Sequence, residues 1–253
     1  MDANPVTFLM SENPHYSRAP ITEALIDIRV NTGGKATLDD LAKVHASIDA
    51  EYPTRRNQVV VEGQMTAGAQ VTAAARQTHI GYTCLNSDER QIVQVRLDGF
   101  TFSRLAPYDR WETFREEARR LWDIYRTAVK LTGIIRLAVR YINRLDLPAP
   151  TELGDYLRTY PEIAPDLPQL LGGYFMQVNL PLPDLPGTLL ITQAISPPPA
   201  PELSSVILDI DIFRDTGLPQ NEDEVWAFFE LLRQRKNQVF HACITDRTKE
   251  LIS

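Results

Sequence analysis

Three arginines recur at every fourth residue of the stretch RLAVRYINRLDLP: Arg136, Arg140 and Arg144. The stretch alternates as a strand does, so the three guanidinium groups fall on one face. A row of planar, permanently charged forks is suited to a carboxylate or a phosphate. The other face carries Leu137, Val139, Tyr141, Leu145 and Leu147, with one amide, Asn143, among them. A buried amide needs partners, since leaving it unpaired costs about 1–3 kcal/mol. Asn143 either bonds a neighbouring backbone at a bulge or lines a pocket with Tyr141. Arg136, Arg140, Tyr141, Asn143 and Arg144 are therefore the candidate ligand- or partner-binding residues. The competing account is a ladder of ion pairs, with acids alternating out of other strands. Asp27, Asp209 and Asp211 are the acids in question, and each cross-strand pair contributes about 0.2–1 kcal/mol. The ladder is the preferred account. It expects Arg140 to be partly buried on one of those three carboxylates.

The other residues with chemical potential form no constellation. The sequence has no GxGxxG after a strand, no GxxxxGK[ST] and no GxSxG. His15, His45, His79 and His241 show no HxH, HxxxH or HExxH spacing, and there is no CxxC, so no metal site and no cofactor are expected. Asp209 and Asp211 share a strand face about 7 Å apart, wide for a shared proton. Cys243 stands two residues from His241, which raises a nucleophile reading; a buried structural thiol is the better one. Trp111, Trp122 and Trp226 sit at helical spacing with other core residues. Arg233, Arg235 and Lys236 lie near the end of the last helical stretch, where positive charge suits the helix dipole.

Composition narrows the class. The 253 residues carry a net charge of -7 and a pI of about 5.2, with 43% hydrophobic and 23% charged residues. That is the profile of a soluble globular chain, and the negative charge disfavours non-specific nucleic-acid binding. No apolar run approaches the roughly 18 residues of a membrane span. The N-terminal segment lacks the basic-then-apolar pattern of a secretion signal. Two isolated cysteines, Cys84 and Cys243, suit reduced thiols in a cytoplasmic protein.

The elements that must position these residues follow from periodicity. EALIDIRV alternates as a strand, and NTGGK turns the chain. TLDDLAKVHASIDAEYP reads as a helix capped by Thr37 with Asp40, its apolar stripe running Leu38, Leu41, Val44, Ile48 and Tyr52. NQVVVEGQ, QVTAAARQTHIGYTCLN and RQIVQVRLDGFTFSRL read as strands, with a hairpin turn at 86–89. Gly63 and Gly68 flank a loop between the first two. Asp98-Gly99 is either a second tight turn or a bulge. DRWETFREEARRLWDIYRTAVKL is the clearest helix, expected to be capped by Asp109 and ended by Gly133.

The order then begins again: strand IIRLAVRYINRLDL, a short helical piece at ELGDYLRTYPEI, strands GGYFMQVNLPL, GTLLITQAIS and SSVILDIDIFRD. A second long helix, NEDEVWAFFELLRQRKNQVFHACIT, is capped by Asn221. Residues 148–201 hold 12 of the 18 prolines, and SPPPAP at 196–201 reads as an extended, solvent-facing connection. Both stretches thus follow one plan: strand, helix, antiparallel strands, long helix. Trp111/Phe114 and Trp226/Phe229 repeat one spacing. The expected fold is α+β. Two similar halves, 1–133 and 134–253, form a pseudo-two-fold arrangement of antiparallel sheet with helices packed on it, as one globular unit.

The elements PITEALIDIRV, PYDRWETF, RLAVRYINRLDLP and VILDIDIF resemble a sporadically distributed bacterial protein family of about 250 residues. RYINR is the most specific piece, and the resemblance covers nearly the whole chain. It implies a bacterial cytosolic protein with an accessory role beside another gene product, and it brings no catalytic residue or cofactor. The reading leans away from an enzyme. It favours a binding or interaction module for a protein partner or small effector, with a homodimer left open and no membrane role. The alternative is an enzyme or sensor that binds a small anion through 136–144.

Overall fold

The computed structural model describes residues 16–66, 72–169 and 171–253. The chain is mixed α and β. In order it forms β1 (Ile21–Asn31), α1 (Leu38–Ala46), β2 (Thr54–Thr66), β3 (Thr72–Leu85), β4 (Gln91–Arg96), β5 (Gly99–Leu105) and α2 (Trp111–Val129). There follow β6 (Gly133–Pro148), α3 (Leu153–Tyr156), β7 (Phe175–Leu182), β8 (Gly187–Ser196), β9 (Leu203–Arg214), α4 (Glu222–Cys243) and α5 (Asp246–Ile252). The hydrogen-bonded strand order is β2-β3-β4-β5-β1-β6-β9-β8-β7. Gly68 and the tip of the β2–β3 hairpin lie outside the described residues, as does His15.

Two compact units divide the chain. One comprises Glu23–Ala138 with Arg214–Trp226; the other comprises the described residues before Glu23, Val139–Phe213 and Ala227–Ser253. The boundaries fall inside β1, β6, β9 and α4, so each of these elements is shared between the units.

In the first unit, β1 pairs antiparallel with β5, β5 with β4, β4 with β3 and β3 with β2. Ala24, Ile26, Ile28 and Val30 are buried, as the alternation of β1 requires. The two residues Leu97 and Asp98 close a tight turn between the paired Arg96 and Gly99, so the alternatives at Asp98-Gly99 resolve to a hairpin. A β-carbon at Gly99 would lie 2.8 Å from the Ile28 carbonyl, and one at Gly81 2.1 Å from that of Val95. Both glycines allow strands to approach more closely than any side chain would permit. Helix α2 buries Trp111, Phe114, Ala118, Leu121, Trp122, Tyr125 and Val129. Phe114 stacks on Phe102 of β5, and Trp122 meets Phe100 edge-on.

Several local expectations need correction. The Thr37–Asp40 capping box forms, but α1 ends at Ala46; Ile48 and Tyr52 reach the core from the turns beyond it. Asp109 does not cap α2. Arg110 holds the N-cap position in extended backbone without a side-chain bond, and Phe114 N–H reaches its carbonyl. Nor does Gly133 end α2. Lys130 does, with φ of 50°, and Gly133 opens β6.

In the second unit, β7 pairs antiparallel with β8 and β8 with β9. Val206, Leu208, Ile210 and Ile212 are buried along β9. On α4, Asn221 takes the cap and accepts the Asp223 N–H. The expected last helix, 221–245, forms as α4, which ends at Cys243, and a further short helix, α5, follows it. The chain breaks at Ile244, which bridges Leu157, while Arg158 N–H bonds the Cys243 carbonyl and Thr245 N–H that of Tyr156. Thr245 then caps α5. Two backbone hydrogen bonds to another segment outweigh continued helix here. No helix among the described residues is long and apolar enough to cross a membrane.

Candidate functional site

Strand β6 carries the candidate residues on its two faces. Leu137, Val139, Tyr141, Asn143, Leu145 and Leu147 are all at most 2% exposed, so the inner face is as expected. The arginine face is a set of ion pairs.

In the first unit, Asp27 of β1 is the centre. Its carboxylate accepts from Arg136 at 2.8 Å, Arg96 at 3.1 Å, Arg29 at 3.3 Å and the Thr101 hydroxyl at 2.7 Å. Burial alone would raise this carboxyl. The Arg29 charge, the Thr101 hydrogen bond and the Arg96 and Arg136 charges together hold it below the usual range. Arg96 is itself buried; its Nη1 donates to Gln94 at 3.0 Å, while its Nε makes no hydrogen bond and lies 3.4 Å from the Asp98 carboxylate.

In the second unit, Arg140 grips Asp209 of β9 with a fork. Nε lies 2.9 and 3.1 Å from the two oxygens, and Nη2 lies 2.5 Å from Oδ2. The Asp209 side chain is 10% exposed and that of Arg140 44%. Arg144 bonds Asp146 at 2.9 Å, Ser205 Oγ at 3.1 Å and the Pro197 carbonyl at 2.9 Å. Ser205 in turn donates to Asp146. Each of the three arginines is thus engaged by a carboxylate of its own unit.

Asn143 is also satisfied. Its Nδ2 donates to the Leu208 carbonyl at 3.0 Å and to that of Tyr141 at 3.3 Å, which pins β6 to β9 from within the core. Tyr141 has a different neighbour. The Lys236 Nζ of α4 sits 3.8 Å from the centre of its ring. Lys236 is 8% exposed, and among the described residues no carboxylate pairs with it. Burial, with the charge of nearby Arg233, pushes its ammonium down to about 7. The π face of Tyr141 offsets part of that burial.

The helix-dipole reading of Lys236 did not anticipate its burial. Phe229, Leu232, Lys236, Phe240 and Cys243 recur at helical spacing, and all five are buried. A lysine inside an apolar stripe was the legible signal.

The remaining candidates are inert. Cys84 and Cys243 are free and buried, and burial raises both thiols to about 11. That is opposite to an activated nucleophile. His241 Nδ1 lies 3.1 Å from the Tyr16 hydroxyl, and His79 and His45 meet backbone carbonyls. No group of three or more His, Cys, Asp or Glu able to hold a metal occurs among the described residues. A cavity of about 390 Å³ lies between α1 and α2, lined by Val44, Ser47, Ile124, Thr127 and Ala128. Its two charged lining residues are spent on local pairs, Lys43 with Asp40 and Asp123 with Arg126.

No protein-family model and no curated protein matches the chain.

Two outcomes follow from this geometry. Arg140→Ala leaves a buried carboxylate unpaired and should lower unfolding stability by about 1–3 kcal/mol. The double variant Arg140→Ala/Asp209→Asn should regain most of that loss in urea melts. Lys236→Met tests the buried amine. Its folded value, about 7, lies below the ordinary lysine value of 10.5. Between the two, the unfolded chain binds the proton and the folded chain does not, so wild-type stability gains with rising pH. The advantage of Lys236→Met should therefore be full at and below neutrality and shrink as pH approaches 10.5. Urea melts of both proteins across that window measure it.

Proposed function

We propose that the protein is a non-enzymatic interaction module that recognises a protein partner through the β2–β3 hairpin. One observation carries this reading. Val59, Val60 and Val61, consecutive residues of an outermost strand, are 39%, 40% and 64% exposed. Consecutive strand residues point to opposite faces, so the hairpin is uncovered on both sides there. Across from them, Gln77 and Thr78 of β3 are exposed too. An outer strand also turns half its N–H and C=O groups away from its neighbour, which makes it a template for another strand. The other outermost strand is guarded. β7 exposes Phe175 and Leu180, but Pro181 removes a donor from its ladder. β2 contains no proline.

The anion-clamp alternative loses ground to the same geometry. A ligand at Arg140 would have to displace a carboxylate held by three hydrogen bonds and left buried.

We also infer that the halves arose by duplication, with a pseudo-repeat in strand order as support. Outward from β1 the order is β1-β5-β4-β3-β2, and outward from β6 it is β6-β9-β8-β7, one strand shorter. In each, the first strand of the set neighbours the last. In a crystal structure, residues 91–125 and 205–240 should superpose strand on strand and helix on helix. Opposite strand direction would end the idea.

The interaction reading is tested with a photo-crosslinking residue at position 60 in native cells. One protein should be captured, and excess wild type should compete it away while Val59→Lys/Val61→Lys does not. Equal melting of that variant and wild type excludes misfolding as the cause. Capture that Val59→Lys/Val61→Lys competes equally well would overturn the reading, and self-capture would make the partner a second copy.

A further inference from the structure

The hairpin differs in charge from the rest of the chain, and this bears on what it binds. Residues 54–85 contain Arg55, Arg56 and Arg76 against a single acid, Glu62, in a protein of net charge -7. All three arginines are exposed. Arg55 stacks 4.7 Å over the Tyr82 ring, which holds it in place without neutralising it. Arg56 reaches Glu89 at 2.8 Å, but both side chains are more than half exposed, 60% and 57%, so water weakens that pair. The valines thus lie between Arg55 and Arg56 at one end and Arg76, which faces Glu62 in the register, at the other.

Building on the interaction reading above, we propose that the partner element is an extended acidic segment that adds to the open edge of β2 as a further strand. Its backbone would meet the outward N–H and C=O groups of β2. Its apolar side chains would cover the valines, and its carboxylates would meet Arg55, Arg56 and Arg76. Arginine suits this role because its planar fork takes a carboxylate with two parallel bonds. A net-negative protein repels acidic segments everywhere else, so the local reversal of sign also selects the docking site. A polynucleotide would meet the same arginines, yet the exposed valines would then face a hydrated phosphate chain with no apolar counterpart.

The test uses the full-length protein and fluorescent probes: a short peptide alternating Glu and Val, its Lys-Val counterpart, and single-stranded and duplex DNA. The Glu-Val peptide should bind and weaken with salt. Methylation of alternate backbone nitrogens should abolish its binding, since strand addition needs those donors. Arg55→Glu/Arg76→Glu should weaken it about tenfold or more while melting as wild type does. Equal binding of the Lys-Val peptide, or binding of DNA without the Glu-Val peptide, would overturn the proposal. If position 60 still captures a competed partner in cells while no acidic peptide binds, the acidic-segment proposal falls and the interaction reading stands. If neither occurs, both fall.

Discussion

Asp27 and Asp209 are carboxylates drawn largely out of water, and much else in the protein is arranged to give them partners. Asp27 stands on β1 with both flanking residues, Ile26 and Ile28, in the core. It cannot swing to solvent without dragging a core strand, so its partners must come to it. Arg29, Arg96, Arg136 and Thr101 do so from β1, β4, β6 and β5. Asp209 is in the same position on β9 between Leu208 and Ile210, and it takes the whole fork of Arg140. Breaking such a pair costs more than forming it contributes, because the acid left behind remains desolvated. The arginines of β6 are held in their rotamers by this asymmetry, which is why they form a poor clamp for a mobile anion.

The inner face of β6 obeys the same rule with different means. Asn143 carries a polar group into the core and finds backbone carbonyls for it. Lys236 carries an amine there, and among the described residues its Nζ meets the face of Tyr141 and no carboxylate. An aromatic face recovers part of the hydration that an ammonium loses, and the proton affinity drops to make up the rest. Loss of charge at modest pH is the cheapest relief open to an amine with no carboxylate in reach.

Much of the fold was legible because alternation and capping are local signals. The strands of β1, β6 and β9, the stripe of α2 and the Thr37 and Asn221 caps all rest on side-chain spacing within one element. So did the inward face of β6, and the choice of Asp27, Asp209 or Asp211 as partner for Arg140. What escaped depended on contacts between distant segments. Nothing local marks Ile244 as the joint between α4 and α5, because the joint is held by backbone bonds with Tyr156 and Arg158 around the Leu157 bridge. Asp109 looked like a cap because it is a capping residue type, but the chain enters α2 one residue later. Lys236 was grouped with Arg233 and Arg235 as charge suited to the helix dipole, although its phase on the helix places it with Leu232 and Phe240. The exposure of Val59–Val61 was hidden for the opposite reason. A valine run reads as buried strand unless the element that would cover it is known to be missing.

The two outermost strands show what it means for such a run to stay open. Exposed strand edges invite pairing with any extended chain, and proteins blunt them with proline, charge or cover. On β7 a proline interrupts the ladder and the apolar residues are spread among polar ones. β2 keeps an uninterrupted ladder and three exposed valines, and its protection is electrostatic: Arg55, Arg56 and Arg76 stand around the run. Like charges on two such hairpins resist their approach at long range. The same charges favour a strand of opposite sign. On the acidic-strand proposal, the charge that resists self-association would also select the partner.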